Sequence, residues 1–212
     1  MKKKSPITCL FLDIGGVLLT NGWDHHARRR AAANFKLKWP EMESRHELLV
    51  EPFELGQIGL EEYLSRVIFF RKRPFTLSRF RQFIFKQSKP YPKMIELMIQ
   101  LKTIHGLKIV VVSNEGREIN AHRIQKFKLA GLVDSFISSC FVHLRKPDVN
   151  IYKLALDTAQ VPPERIIYIE DTPLFKKIAE SLGIKSILHT DYEVTRLKLD
   201  LLGLSNDERE RL

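Results

Sequence analysis

The chain has 212 residues, 44% apolar and 28% charged, which fits one domain with a large insert or two small domains and excludes a disordered chain. No apolar run is long enough to cross a bilayer, so no membrane span is expected. Lys and Arg total 35 against 25 Asp and Glu, a formal net charge of +10 whose field favours anionic partners without choosing among them.

In chain order, "MKKKSP" leads into the apolar run "ITCLFL". That run breaks at Asp13, Gly15 and Gly16 with no small-residue cleavage site after it, so a cytoplasmic protein without a secretory signal is expected. Residues 7–12 read as a buried strand ending at Asp13. Residues 24–35 read as a helix, and from there to about residue 90 the pattern is helical but irregular. The basic clusters of this half, "ARRR", "FFRKRPF" and "RFRQFIFK", read as solvated helix faces or as a surface that steers an anionic substrate or binds a polyanion. "KPYPK" at 89–93 is a boundary, because its prolines resist helix continuation. The chain therefore divides into 1–18 with 92–212, and an insert at 19–91.

After this boundary helix and strand alternate. A helix at 94–104 carries Met94, Leu97, Met98 and Leu101 in one stripe and stops at Gly106. Strands are expected at 108–114, 134–142 (the weakest), 165–171 and 184–189, and helices at 117–129, 148–159, 174–183 and 193–202, before a polar tail, "SNDERERL". Cys9 and Cys140 sit in apolar stretches with no metal-like neighbours, so both are expected as buried free thiols.

Such alternation builds an α/β fold, a parallel sheet with helices on both faces, and these sheets bind ligands at the carboxyl ends of their strands. To that edge the sequence delivers Asp13, then Ser113 and Asn114, then Lys146 from a loop, then Glu170 and Asp171. Converging carboxylates suit Mg²⁺. A carboxylate beside such an ion can attack phosphorus, while a hydroxyl and an ammonium hold the charge of the transferring phosphoryl group. Each residue also has a plainer reading: a strand-end cap for Ser113, a solvated loop lysine for Lys146, a helix N-terminal charge pair for Glu170 and Asp171.

The stretches "FLDIGGVLL", "VVVSN", "RKPDVNIYKLAL" and "IYIEDTPLFKKIAESLGI", over about residues 7–188, resemble the haloacid dehalogenase superfamily. "FELGQIGLEEYL" at 53–64 resembles a piece of that family's helical cap. The likeness implies a Rossmann-like core with an inserted helical cap. It implies Asp13 as nucleophile and Mg²⁺ ligand, and Lys146 as the cation between nucleophile and phosphate. Ser113, Asn114 and Gly16 would bind substrate. Asp171 and the Gly15 carbonyl would bind the metal, with Glu170 behind them or joined to it through water.

Two positions depart from the family pattern. Gly15 stands where a second Asp usually serves as general acid and base, a function worth roughly 10²–10⁴-fold. Asp24, His25 and His26 are weak substitutes for it, their plainer readings being a helix cap and exposed histidines. Phe175 stands near where the family often has Asp or Asn. The expected function is a Mg²⁺-dependent phosphatase of a small phosphorylated metabolite such as a sugar phosphate. The alternatives are a phosphate- or polyanion-binding relative without turnover, and a metal-free 2-haloacid dehalogenase. No nucleic-acid motif is present, and nucleic acid is not an expected partner.

Overall fold

The computed structural model describes residues 7–206. The basic start and the last six residues of the polar tail lie outside the described residues. Five parallel strands, β1 (Cys9–Leu12), β2 (Lys108–Ser113), β3 (Ser135–Ser138), β4 (Ile166–Glu170) and β5 (Lys185–Leu188), form one sheet in the order β3-β2-β1-β4-β5. β1 sits at its centre, with Phe11 opposite both Val110 and Tyr168. The strands read as continuous apolar runs because both faces are covered. Leu10 and Leu12 face one core layer with helices α5 (Pro92–His105) and α10 (Tyr192–Leu201), among the other helices of the chain. Cys9 and Phe11 face the opposite layer, with α8 (Val149–Ala159) and α9 (Pro173–Ser181). The α/β architecture expected from the alternation is the observed one.

Between β1 and α5 lie four helices: α1 (His25–Asn34), α2 (Trp39–Glu54), α3 (Leu60–Val67) and α4 (Leu77–Phe85). They enclose an apolar cluster of their own, built on Phe35, Phe53, Tyr63, Leu64 and Phe80 and joined by Ile119 of α6 (Arg117–Lys126). The two connecting strands run side by side: Leu19 bridges Pro90, Thr20 N–H donates to the Lys89 carbonyl at 2.8 Å, and Tyr91 N–H donates to the Leu18 carbonyl at 2.9 Å. The insert is also tied to the sheet's carboxyl edge. Ser139 Oγ donates to the Glu54 carbonyl at 2.7 Å, Leu60 N–H donates to Glu118 Oε2 at 3.0 Å, and Arg145 pairs with Glu54 at 2.7 Å.

Three expectations need correction. The strand expected over 134–142 ends at Ser138, and Ser139–Val142 is a short helix, α7. Ser139 turns the chain there, because its hydroxyl accepts the Glu115 N–H at 2.9 Å while donating to Glu54. The helix expected over 117–129 stops at Lys126, with Lys128 in a left-handed conformation (φ 53°). Arg28, within the first basic cluster, is not a solvated residue: it is buried and makes a bidentate pair with Glu43, at 2.8 and 2.6 Å. Both cysteines are buried and free, and burial pushes their thiols up to about 12. Among the described residues, no helix is long and apolar enough to cross a membrane.

Candidate active site

Parallel strands end their carboxyl termini together, and here β1, β2 and β4 end at Asp13, Ser113 and Glu170–Asp171. Asp13 is held from several directions. Its N–H donates to the Ile169 carbonyl at 3.1 Å, and its Oδ1 accepts the Ile14 N–H at 2.7 Å. Oδ2 lies 3.1 Å from Lys146 Nζ, and the Ser113 side chain, like Lys146, favours the charged form of the carboxyl. Burial pushes the Asp13 carboxyl upward, and Lys146 pulls it back.

Lys146 is 1% exposed, so it is not the solvated loop lysine of the plainer reading. Its Nζ lies 2.7 Å from Glu170 Oε2 and 3.1 Å from the Tyr168 hydroxyl, with the Phe175 ring centroid at 4.9 Å. Burial alone would lower this ammonium's pKa. The flanking Asp13 and Glu170 carboxylates outweigh burial and hold it above the usual lysine range. Asn114 fixes the backbone beneath it: Lys146 N–H donates to Oδ1 at 2.8 Å, and Nδ2 donates to the Lys146 carbonyl at 2.9 Å. The Asn114 side chain is thus engaged on the lysine rather than turned to a ligand.

Glu170 is fully buried with both oxygens occupied. Oε2 accepts from Lys146 and the Tyr168 hydroxyl, and Oε1 accepts the Thr172 N–H at 2.9 Å. Asp171 is more open. Its Oδ1 accepts from Thr172 Oγ1 at 3.1 Å and its Oδ2 from Asn21 Nδ2 at 3.3 Å. Oxygens of Asp13, Glu170 and Asp171 all lie within 4.8 Å of one another. An all-oxygen cluster of three carboxylates fits a hard divalent cation such as Mg²⁺.

The two glycines differ. Gly16 has φ +72°, donates its N–H to the Leu19 carbonyl at 2.8 Å, and lies so close to Asp171 that an added Cβ would collide with that carboxylate. It lets Asp171 approach the loop, and its N–H is used within the turn. At Gly15 an added Cβ would collide only with the Asn21 side chain.

Above this edge lies a cavity of about 350 Å³ between sheet and insert. Asp13, Ser113, Lys146 and Asp171 line its floor, and Trp23, Arg28, His46 and Phe53 line it from the insert. Trp23 Nε1 donates to the Tyr63 hydroxyl at 2.9 Å, which lies 2.7 Å from His46 Nδ1. Burial drives His46 down to about 4. Two ion pairs flank the cavity. Arg145–Glu54 closes one side, and Arg123–Glu115, nearly inaccessible, the other. Burial pushes Glu115 up to about 7 and Glu54 upward. Arg123 also donates to the Thr20 carbonyl, fixing the strap into the insert.

Of the weak proton-carrier candidates, Asp24 lines the cavity, but its carboxylate caps α1, accepting the Ala27 N–H at 2.7 Å. His25 and His26 are exposed and do not line the cavity, which removes them as substitutes. Sequence reasoning missed Asn21, Arg28, His46, Glu54, Glu115 and Arg123. They lie in locally polar stretches such as "TNGWDHH" and "SNEGREIN", where nothing in the sequence singles them out.

A family model of haloacid dehalogenase-like hydrolases matches residues 7–174. Bifunctional epoxide hydrolase 2 of Sus scrofa is 30% identical over 114 residues, 52% of this chain and 20% of that protein. The chain thus spans about a fifth of that relative's length. Phosphorylated carbohydrates phosphatase of Thermotoga maritima is 25% identical over 189 residues, 84% of this chain and 82% of that protein. A solved HAD family enzyme of Bacteroides thetaiotaomicron, in its magnesium complex, aligns with a TM-score of 0.73 at 19% identity, over 87% of this chain and 93% of that one. A HAD-like hydrolase of Porphyromonas gingivalis aligns with a TM-score of 0.73 at 16% identity, over 92% and 98%. These structures share the fold.

Proposed function

We propose that this chain, which belongs to the haloacid dehalogenase-like hydrolases, is a Mg²⁺-dependent phosphatase of a small phosphorylated metabolite such as a sugar phosphate. The observation that carries the reading is the Asp13 carboxylate 3.1 Å from the Lys146 ammonium, on the floor of a cavity that Ser113 and Asp171 also line.

In this reading Asp13 attacks phosphorus, and the bond to the leaving oxygen breaks with its electron pair departing on that oxygen. Water then attacks the aspartyl-phosphate, releasing inorganic phosphate and restoring Asp13. Lys146 and Ser113 hold the charge spread over the phosphoryl oxygens. Asp13, Asp171 and the Gly15 carbonyl would hold Mg²⁺, which would supply Lewis-acid charge stabilisation. Glu170, with both oxygens occupied, holds Lys146 and would meet the ion through water. Asn114 acts by fixing Lys146. The insert acts as a cap over residues 19–91, its Trp23, Phe53 and His46 walls selecting the substrate. The T. maritima relative, named for phosphorylated carbohydrates, supports that substrate class.

The test is hydrolysis of p-nitrophenyl phosphate with Mg²⁺, wild type against Asp13→Asn. Loss of turnover in the variant is expected, and equal rates would refute the nucleophile. Gly15 favours a second reading, a phosphate-binding relative with little turnover. Mg²⁺-dependent retention of phosphate, without product on long incubation, would decide for it.

A further inference from the structure

The structure carries an unexplained asymmetry at the two loop glycines. Gly16 needs to be glycine for its left-handed backbone. Gly15 does not, because its backbone lies outside that region and the nearest atoms an added Cβ would meet all belong to Asn21. The nearest is Asn21 Oδ1, closer than the 3.0 Å that real Cβ atoms observe. The other end of that amide, Nδ2, donates to Asp171 Oδ2 at 3.3 Å. Asn21 lines the cavity and comes from the strap that climbs into the insert.

The strap has little room to move. Thr20, next to Asn21, is bonded through N–H and hydroxyl to Lys89 and Gln87, and through its carbonyl to Arg123. On the other side, a Cβ on Gly22 would stand 3.1 Å from Ser88 Oγ and 3.5 Å from Arg123 Cζ. A side chain at position 15 therefore cannot be accommodated by sliding the strap. It must swing the Asn21 amide away, which costs the contact to Asp171.

We propose that Asn21 is a positioning residue that fills the space a side chain at position 15 would take and orients Asp171 for the metal, so that Gly15 and Asn21 act as one unit. This rests on the reading of Asp171 as a metal carboxylate. Asn21 links the entrance of the insert to the metal carboxylate, and Gly15 is the vacancy that permits the link. An amide is neither a Brønsted acid nor a base of useful strength near neutral pH, so the unit supplies orientation and no general acid.

The test uses the full chain with Gly15→Ala, Asn21→Ala and the double variant, titrated calorimetrically with Mg²⁺ alone and melted without metal. Asn21→Ala is expected to weaken Mg²⁺ binding roughly 10-fold, as loss of a group orienting a ligand does. Raised Mg²⁺ should restore its turnover. Gly15→Ala should weaken binding by a similar factor, because it displaces the same amide, and the double variant should be no weaker than Asn21→Ala. In melting, Gly15→Ala should lower Tm by roughly 4 °C or more in the wild-type background. In the Asn21→Ala background it should leave Tm unchanged or raise it by about 2 °C, since alanine then fits and stiffens the unfolded chain less expensively than glycine. Unchanged Mg²⁺ affinity in Asn21→Ala overturns the proposal, and so do additive effects of the two substitutions. A wild-type protein that binds no Mg²⁺ refutes the metal reading instead, and the melting cycle then decides whether Asn21 fills the space at position 15.

Discussion

His46 gives the sharpest test of the cavity's electrostatics. The indole of Trp23 can only donate, so the Tyr63 hydroxyl accepts from it and turns its own proton toward His46 Nδ1. That makes Nδ1 an acceptor and places the proton of the neutral ring on Nε2. Protonating the ring would put a second proton where Tyr63 already donates. It would do so in a buried site with Arg28 nearby, opposed only by Glu43, which is why the ring's pKa falls from 6.5 to about 4. The sign follows directly. Between those values the unfolded chain binds more protons than the folded one, so stability falls as pH falls below 6.5. From pH 7.5 to pH 5.0 the linkage amounts to about 2 kcal/mol. Urea unfolding of wild type and His46→Gln at both pH values isolates it. At pH 7.5 the variant should be the less stable by about 1 kcal/mol, the worth of the hydrogen bond. At pH 5.0 the difference should close or reverse. The same difference at both pH values would refute the assignment of a neutral, accepting Nδ1.

Three further outcomes follow from the geometry. Lys146→Met leaves two buried carboxylates without their cation and should cost about 3–5 kcal/mol by urea unfolding at neutral pH, with turnover abolished. Gly116→Ala drives a Cβ into the Phe53 ring and should destabilise by about 1–3 kcal/mol, with Phe53→Leu in the same chain recovering most of the loss. Across aryl phosphates of graded leaving-group acidity, kcat/KM should fall steeply as the phenol becomes less acidic, since the Asn21 amide cannot protonate the departing oxygen. A flat series would show that another cavity acid, Glu115 above all, does so.

The sheet was legible because its strands are buried on both faces. Runs such as "KIVVVS" and "RIIYIE" can satisfy no other environment, and the polar residues that end them are then placed by topology alone. Asp13, Ser113 and Asp171 met for that reason, and Lys146 is brought in by the loop after α7. The helix–strand boundary at Ser138 was not legible, because it is set by Ser139 bonding to Glu115 and Glu54, residues 24 and 85 positions away. The insert's α2 was hidden for a different reason. Prolines stand near its start and at position 52 within it, and the stripe of its buried residues, Met42, His46 and Phe53, is interrupted by a polar histidine. Local pattern reports a helix only when one face is consistently apolar, and α2 presents one part of itself to the insert's core and another to the cavity.

The same limit explains why the central question at position 15 could be posed from sequence and not resolved there. A glycine in place of an acid reads as a missing proton carrier, and nearby acids and histidines then look like substitutes. The structure changes the terms, because the space is not empty. Asn21 fills it from a strap fastened by Arg123, more than a hundred residues along the chain, and bonds the carboxylate of Asp171. Gly15 is then a condition for Asn21's position as much as the loss of an acid. Under the proposed reading, such a site would orient carboxylates and stabilise phosphoryl charge, with no acid at position 15 to protonate the leaving group. Substrates whose leaving oxygen is already acidic should therefore be its best ones, and Asp at position 15, which must displace the Asn21 amide to fit, should flatten that preference most when Asn21 is removed with it.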